Sequence, residues 1–164
     1  MKLKFKNKNF NKKGDTTYCT IICMLELSNT DVRMQNTLPK KYETQYTDYS
    51  KIFEDYVYQE SDYKGLTYKA VSIGKAEKSA TDENNPRLAR KLAEARAKLN
   101  CYKYAAALHN AWFHYLKELA FGNLLVTTNT PECTSNGGMY DQWLYYSSLV
   151  EKEKYYISKL LSEL

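Results

Sequence analysis

Apolar and polar positions alternate from the first residues, with Met1, Leu3 and Phe5 interleaved by Lys2, Lys4 and Lys6. This two-residue period predicts a half-buried edge strand whose outer face is charged. Gly14 marks a turn over residues 11–15. Residues 17–27 (TYCTIICMLEL) are nearly continuously apolar and rich in β-branched side chains, as a central strand should be. Residues 28–51 are polar and read mostly as loop. A structureless stretch of that length is unusual, so it either contains a short strand near 32–34 or serves as an interaction loop. Residues 52–58 fit both a helical turn and a strand, with the strand favoured. A hairpin turn at 61–65 then leads into a strand over 66–76.

The period changes after Pro86, which suits a helix's first turn, with Asn84 or Asn85 as the cap. Leu88, Leu92, Ala95, Leu99, Tyr102, Ala106, His109, Phe113, Leu116 and Ala120 follow at spacings of four and three, a heptad seam. The seam predicts either one long helix over 86–121 or two helices bent near Asn100, with Gly122 as the residue that stops it. Residues 122–138 read as a second loop with a short strand at 124–128 and a turn at Asn136, Gly137 and Gly138. A last helix is predicted over 139–163. Its apolar face is Trp143, Tyr146, Val150, Ile157, Leu160 or Leu161, and Leu164, and residues 151–154 form a solvated charged patch. The expected fold class is α+β in one domain. A small antiparallel sheet of three to four strands, built mainly from residues 1–85, is packed by the long helix, which continues into an antiparallel helical hairpin.

Composition narrows the classes of function. Of 164 residues 43% are hydrophobic and 26% charged, as in a globular chain. No run approaches the roughly 18 apolar residues of a transmembrane helix, and no apolar segment follows the basic N-terminus. The expectation is a cytoplasmic protein with no membrane partner. Cys19, Cys23, Cys101 and Cys133 form no CxxC pair and read as buried free thiols, Cys19 and Cys23 sharing one strand face. His109 and His114 are five apart and share no helix face, so no metal site is expected. Phosphate-loop, nucleophile-elbow and zinc-protease signatures are all missing, and no carboxylates form a tuned pair. The chain therefore reads as a non-enzymatic binding protein without a small-molecule cofactor.

Charge placement changes the picture more than its net value of +5. Six of the 24 basic residues (Lys2, Lys4, Lys6, Lys8, Lys12 and Lys13) lie in the first 13 positions, with no acid among them. The rest of the chain is close to neutral against its 19 acids. Edge lysines guard a sheet against aggregation. The same lysines also suit a phosphate-contacting arm. Residues 87–103 add Arg87, Arg90, Lys91, Arg96, Lys98 and Lys103 against Glu94. Sixteen tyrosines supply rings with polar tips, usable in the core, in base stacking or at a protein interface.

Over residues 17–105 the chain resembles the small double-stranded-RNA-binding-domain-like proteins of bacteria and phages. The likeness rests on Gly74 and Ala76 at a strand end, Asp82 in the loop, Pro86 at the helix start, and Leu92, Ala93, Arg96 and Ala97 along the helix. The resemblance implies a three-stranded antiparallel sheet crossed by a helix. In double-stranded-RNA binders that helix opens with Lys-Lys-x-Ala-Lys, whose lysines reach phosphates across the groove. Arg90, Lys91 and Ala93 match it. Glu94 departs from it, and Asp82 and Glu83 add negative charge before it. The residues expected to contact nucleic acid are Lys2, Lys4, Lys6, Lys8, Lys12, Lys13, Arg87, Arg90 and Lys91. The alternative expectation is a phage or mobile-element protein-interaction module. It would oligomerise through the helical seam or inhibit a host protein through its aromatic surface.

Overall fold

A computed structural model describes residues 2–28, 39–42, 58–62, 65–77, 85–123 and 136–163. Four strands, β1 (Lys2–Lys13), β2 (Thr16–Ser28), β3 (Tyr58–Asp62) and β4 (Gly65–Glu77), form an antiparallel sheet in the order β1-β2-β4-β3. The lysine-rich strand is at the edge and the continuously apolar β2 is internal, as their patterns predict. The first turn is tighter than expected, because β1 runs on to Lys13 and only Gly14 and Asp15 lie between the strands. Gly14 takes φ 60°, a conformation that glycine adopts without a Cβ penalty.

Register assigns the two faces of the sheet. Phe5 pairs with Cys23 and Phe10 with Cys19. Cys19 and Ile21 in turn pair with Gly74 and Ser72. These residues share the face covered by the long helix. The alternation does not run unbroken through β1. Asn7 has φ 49°, and the register shifts between Lys6 and Asn9. This bulge inserts one extra residue, so the inward set changes from Leu3 and Phe5 to Lys8 and Phe10.

The long helix α1 (Pro86–Asn123) is continuous, without a break at Asn100. Asn85 caps it, its Oδ1 accepting from Leu88 N–H at 3.0 Å. The Asn100 amide instead donates to the Ile73 carbonyl at 3.3 Å and ties the helix to β4. Gly122 does not stop α1, which continues to Asn123. A glycine in a final turn costs only about 1 kcal/mol, which neighbouring helical residues offset. The C-terminal helix α2 (Asn136–Ser162) likewise takes in residues 136–138, the expected turn. Glycine's penalty is tolerable at a frayed first turn, and Asn136 suits a helix start.

Helix α1 is buried on more sides than the heptad seam implies. Its seam residues Leu88, Leu92, Ala95, His109 and Leu116 are buried, but so are Ala93, Ala97, Cys101, Ala105, Leu108, Ala111 and Trp112. The first set includes the face toward α2, where Tyr146 stacks on His109 at 5.2 Å and Trp143 on Phe113 at 5.8 Å. Ala93, Ala97 and Cys101 of the second lie on the sheet. Close approach there needs small side chains. A Cβ on Gly74 would fall 1.8 Å from the Ala93 carbonyl oxygen and 2.5 Å from the Ala97 nitrogen. Ser72 Oγ donates to the Ala97 carbonyl at 2.8 Å, and Arg96 reaches the Lys75 carbonyl at 2.6 Å.

Helices α1 and α2 form the predicted antiparallel hairpin, and Leu160 is the buried choice at its far end while Leu161 is exposed. Lys154 and Glu151 pair at 2.7 Å in the solvated patch. Residues 40–42 form a helical turn against the end of α1, where Lys41 and the Tyr42 hydroxyl both bond Glu118. The strand expected in part at 52–58 begins at Tyr58, with its earlier residues outside the described ones. The strands near 32–34 and 124–128, the side chain of Ala120, and Leu164 also lie outside them.

Candidate nucleic-acid interface

The motif residues behind the family resemblance have packing tasks. Gly74, Ala93 and Ala97 make the close crossing of α1 over β4, Ala76 and Leu92 are buried in the same cluster, and Arg96 holds a strand carbonyl. Asp82 and Glu83 lie outside the described residues.

The nine expected contact residues separate into three groups. Lys4 and Lys6 lie opposite Met24 and Ile22, on the open face away from α1. Lys4 is already engaged, its ammonium 2.6 Å from Glu26. The Lys2 backbone pairs with Glu26, and its side chain lies outside the described ones. Lys8 forms the second group alone. The Asn7 bulge turns it toward α1, where it meets Glu94 at 2.8 Å. Glu94 also takes Lys98 at 2.7 Å. Partial burial opposes ionisation of Glu94, but hydrogen bonds and charge from Lys8 and Lys98 outweigh it and hold the carboxyl below its usual range. The same partner raises the Lys8 ammonium. Glu94, which breaks the double-stranded-RNA-binder pattern, thus fastens the edge strand to the helix.

Lys12, Lys13, Arg87, Arg90 and Lys91 form the third group. All five are exposed. The two lysines flank the β1–β2 turn, beside Thr17 and Thr16 and through them Ala76 and Glu77. Leu88 packs into the cluster that holds Ala76 and Cys19, so α1 begins over this same end of the sheet. Phe10 joins the two parts. The Arg90 guanidinium lies 5.8 Å and the Lys8 ammonium 5.7 Å from its ring centre. No acid stands in the first turn of α1, whose N-terminus carries partial positive charge. Described carboxylates at this end include Asp15, Glu77 and Glu94, the last held by Lys8 and Lys98.

Other candidate groups serve the core. The Cys23 thiol is raised by its hydrogen bond with Cys101 and by burial, and burial chiefly pushes Cys19 up to about 11. Cys19, Cys23 and Cys101 are free and buried, and Cys133 lies outside the described residues. His109 is fully buried, with Nδ1 2.7 Å from the Ala105 carbonyl oxygen. Among the described residues no three His, Cys, Asp or Glu side chains converge as metal ligands. No described helix is long and apolar enough to cross a membrane.

A second feature has no counterpart among the expected site residues. Between β1 and α2 lies a cleft of about 620 Å³ lined by Leu3, Phe5, Tyr102, Tyr145, Tyr146 and Leu149, with Lys4 and Gln142. Its signal was present in α2 as a stripe beside the buried one. Gln142, Tyr145, Leu149, Lys152 and Tyr156 recur at spacings of three and four. Burial pushes Tyr102 up to about 12, helped by Glu153.

No protein-family model matches the chain, nor does any curated protein or solved structure. Function therefore rests on the residues themselves.

Proposed function

We propose that the protein binds nucleic acid through the basic end formed by Lys12, Lys13, Arg87, Arg90 and Lys91. The observation that carries this reading is the meeting of Arg90 and Lys8 at Phe10, which brings the lysine-rich hairpin and the helix start to one end of the molecule. Five exposed cations lie there beside a helix N-terminus that favours phosphate, and Glu94, the acid nearest Arg90 in sequence, is already held by Lys8 and Lys98. An assay by fluorescence anisotropy at about 50 mM salt, with labelled duplex RNA and single-stranded DNA, tests it. Retention of either that is lost in the Arg87→Glu, Arg90→Glu, Lys91→Glu triple variant is expected. Absence of retention by the unaltered chain rules the reading out.

A second reading, a protein-interaction module, is favoured by the exposed apolar residues of α2. Tyr155 is 75% exposed and Tyr145 55%, and Leu144, Tyr156 and Leu161 are exposed with them. Tyrosine is enriched where proteins meet. Light scattering that reports a dimer, dispersed by Tyr155→Ser together with Tyr156→Ser, would favour self-association as its form.

A further inference from the structure

We propose that β1 is a receptor for an extended segment of a partner protein in which apolar residues alternate with Asp or Glu. This goes beyond the nucleic-acid reading and uses different residues. Among the described residues β1 is an edge strand, paired on one side by β2, so its other side presents a row of backbone donors and acceptors. A strand added there shares the pleat of β1. Alternate side chains of the incomer would lie beside Leu3 and Phe5, in the cleft that Tyr102, Tyr145, Tyr146 and Leu149 close from above. The intervening ones would lie beside Lys4 and Lys6 on the open face.

Charge selects the occupant. Side chains directly opposite across a strand pair interact, and like charges there repel. A second copy of β1 would set lysine against lysine, so self-pairing is disfavoured. An acidic alternation would satisfy Lys6, which is exposed and makes no ion pair among the described residues, and would share Lys4 with Glu26. The lysines that discourage indiscriminate strand pairing thereby admit one chemistry. The bulge at Asn7 sets the length, since the regular edge ends at Lys6. The cleft falls within the volume range of about 300–1,000 Å³ typical of binding sites.

The probe is a fluorescein-labelled peptide of about seven residues in which glutamate and valine alternate. It is compared with a lysine–valine peptide, with the same acidic peptide carrying proline at its central valine, and with oligothymidine. Saturable binding of the acidic peptide at least about tenfold tighter than either control peptide is expected. Slowed amide exchange within residues 2–6 should accompany it. Lys6→Glu should reverse the preference between acidic and basic peptides, and Tyr145→Ala should weaken binding of both. Both substitutions are at exposed positions, and circular dichroism verifies the fold. Equal binding of the proline peptide would exclude strand addition. No saturable binding, binding of oligothymidine alone at this cleft, or an unchanged preference in Lys6→Glu would each overturn the proposal. The Arg87→Glu, Arg90→Glu, Lys91→Glu variant should bind the acidic peptide as the unaltered chain does, which separates this result from the nucleic-acid reading.

Discussion

At Gly74 the backbone of α1 lies so close that no side chain fits, and neither contacting atom can move without breaking the helix. Gly74→Ala should therefore destabilise by about 3 kcal/mol or more, read by urea denaturation. Two glutamates give opposite pH signatures. Glu94 ionises below its usual range, because Lys8 and Lys98 overcome its burial. Its contribution is present above the unfolded carboxyl value of about 4.3 and is lost as pH falls through the depressed folded value. Glu153 is raised, chiefly by burial and further by Glu94, with Lys98 opposing. The folded state there binds a proton more readily than the unfolded chain, so stability declines as pH rises from about 4.3 through the raised value. Glu94→Gln should cost up to about 1 kcal/mol at pH 7 and little at pH 3. Glu153→Gln should be neutral to stabilising at pH 7 by under about 0.5 kcal/mol. Thermal melts across pH 3–8 compare them, and parallel profiles for the two variants would refute the assignment.

Elements were legible in the sequence where a period persisted. Alternating Lys with Leu3 and Phe5 gave the edge strand, the β-branched run gave β2, and the Asn85–Pro86 boundary gave the start of α1. Asn85→Ala should cost about 1 kcal/mol in the same denaturation assay, since Leu88 N–H loses its acceptor. The β1 bulge leaves only a faint trace, the switch of apolar parity from Leu3 and Phe5 to the single Phe10, too short to show where the extra residue sits. Its consequence is large. Without the extra residue Phe10 would face away from α1 and Lys8 away from Glu94. Asparagine tolerates φ 49°, whereas a β-branched residue does not. Asn7→Val should cost about 1–2 kcal/mol, while Asn7→Gly should fold as well as the parent. The extent of α1 burial was hidden for a related reason. Ala93, Ala97 and Cys101 are small and fall outside the heptad, so their contact with the sheet shows only once Gly74 is seen opposite them.

Across the whole molecule, the candidate interface was legible by residue type and not by availability. The sequence marks nine cations, but ion pairs between residues 22 and 86 positions apart occupy Lys4 and Lys8. No local pattern encodes such pairs. This distinction yields a quantitative expectation. If the five remaining cations at the basic end contact phosphates, the logarithm of the duplex binding constant should fall against the logarithm of salt with a slope of about −4 to −5. Removing one cation by Arg90→Gln or Lys12→Gln should lower that slope by about 1. Lys4→Gln should leave it unchanged, because Lys4 sits on the open face and is held by Glu26. Lys8→Gln should also leave it unchanged while Glu94 is present. Glu94→Gln should release Lys8 beside Phe10 and Arg90, adding about one contact to the slope and tightening binding at low salt. The double variant Lys8→Gln with Glu94→Gln should return to the parent slope, since its gain depends on the freed ammonium. Equal slopes for Glu94→Gln with and without Lys8 would mean that the acid acts only through stability, and would remove Lys8 from the interface.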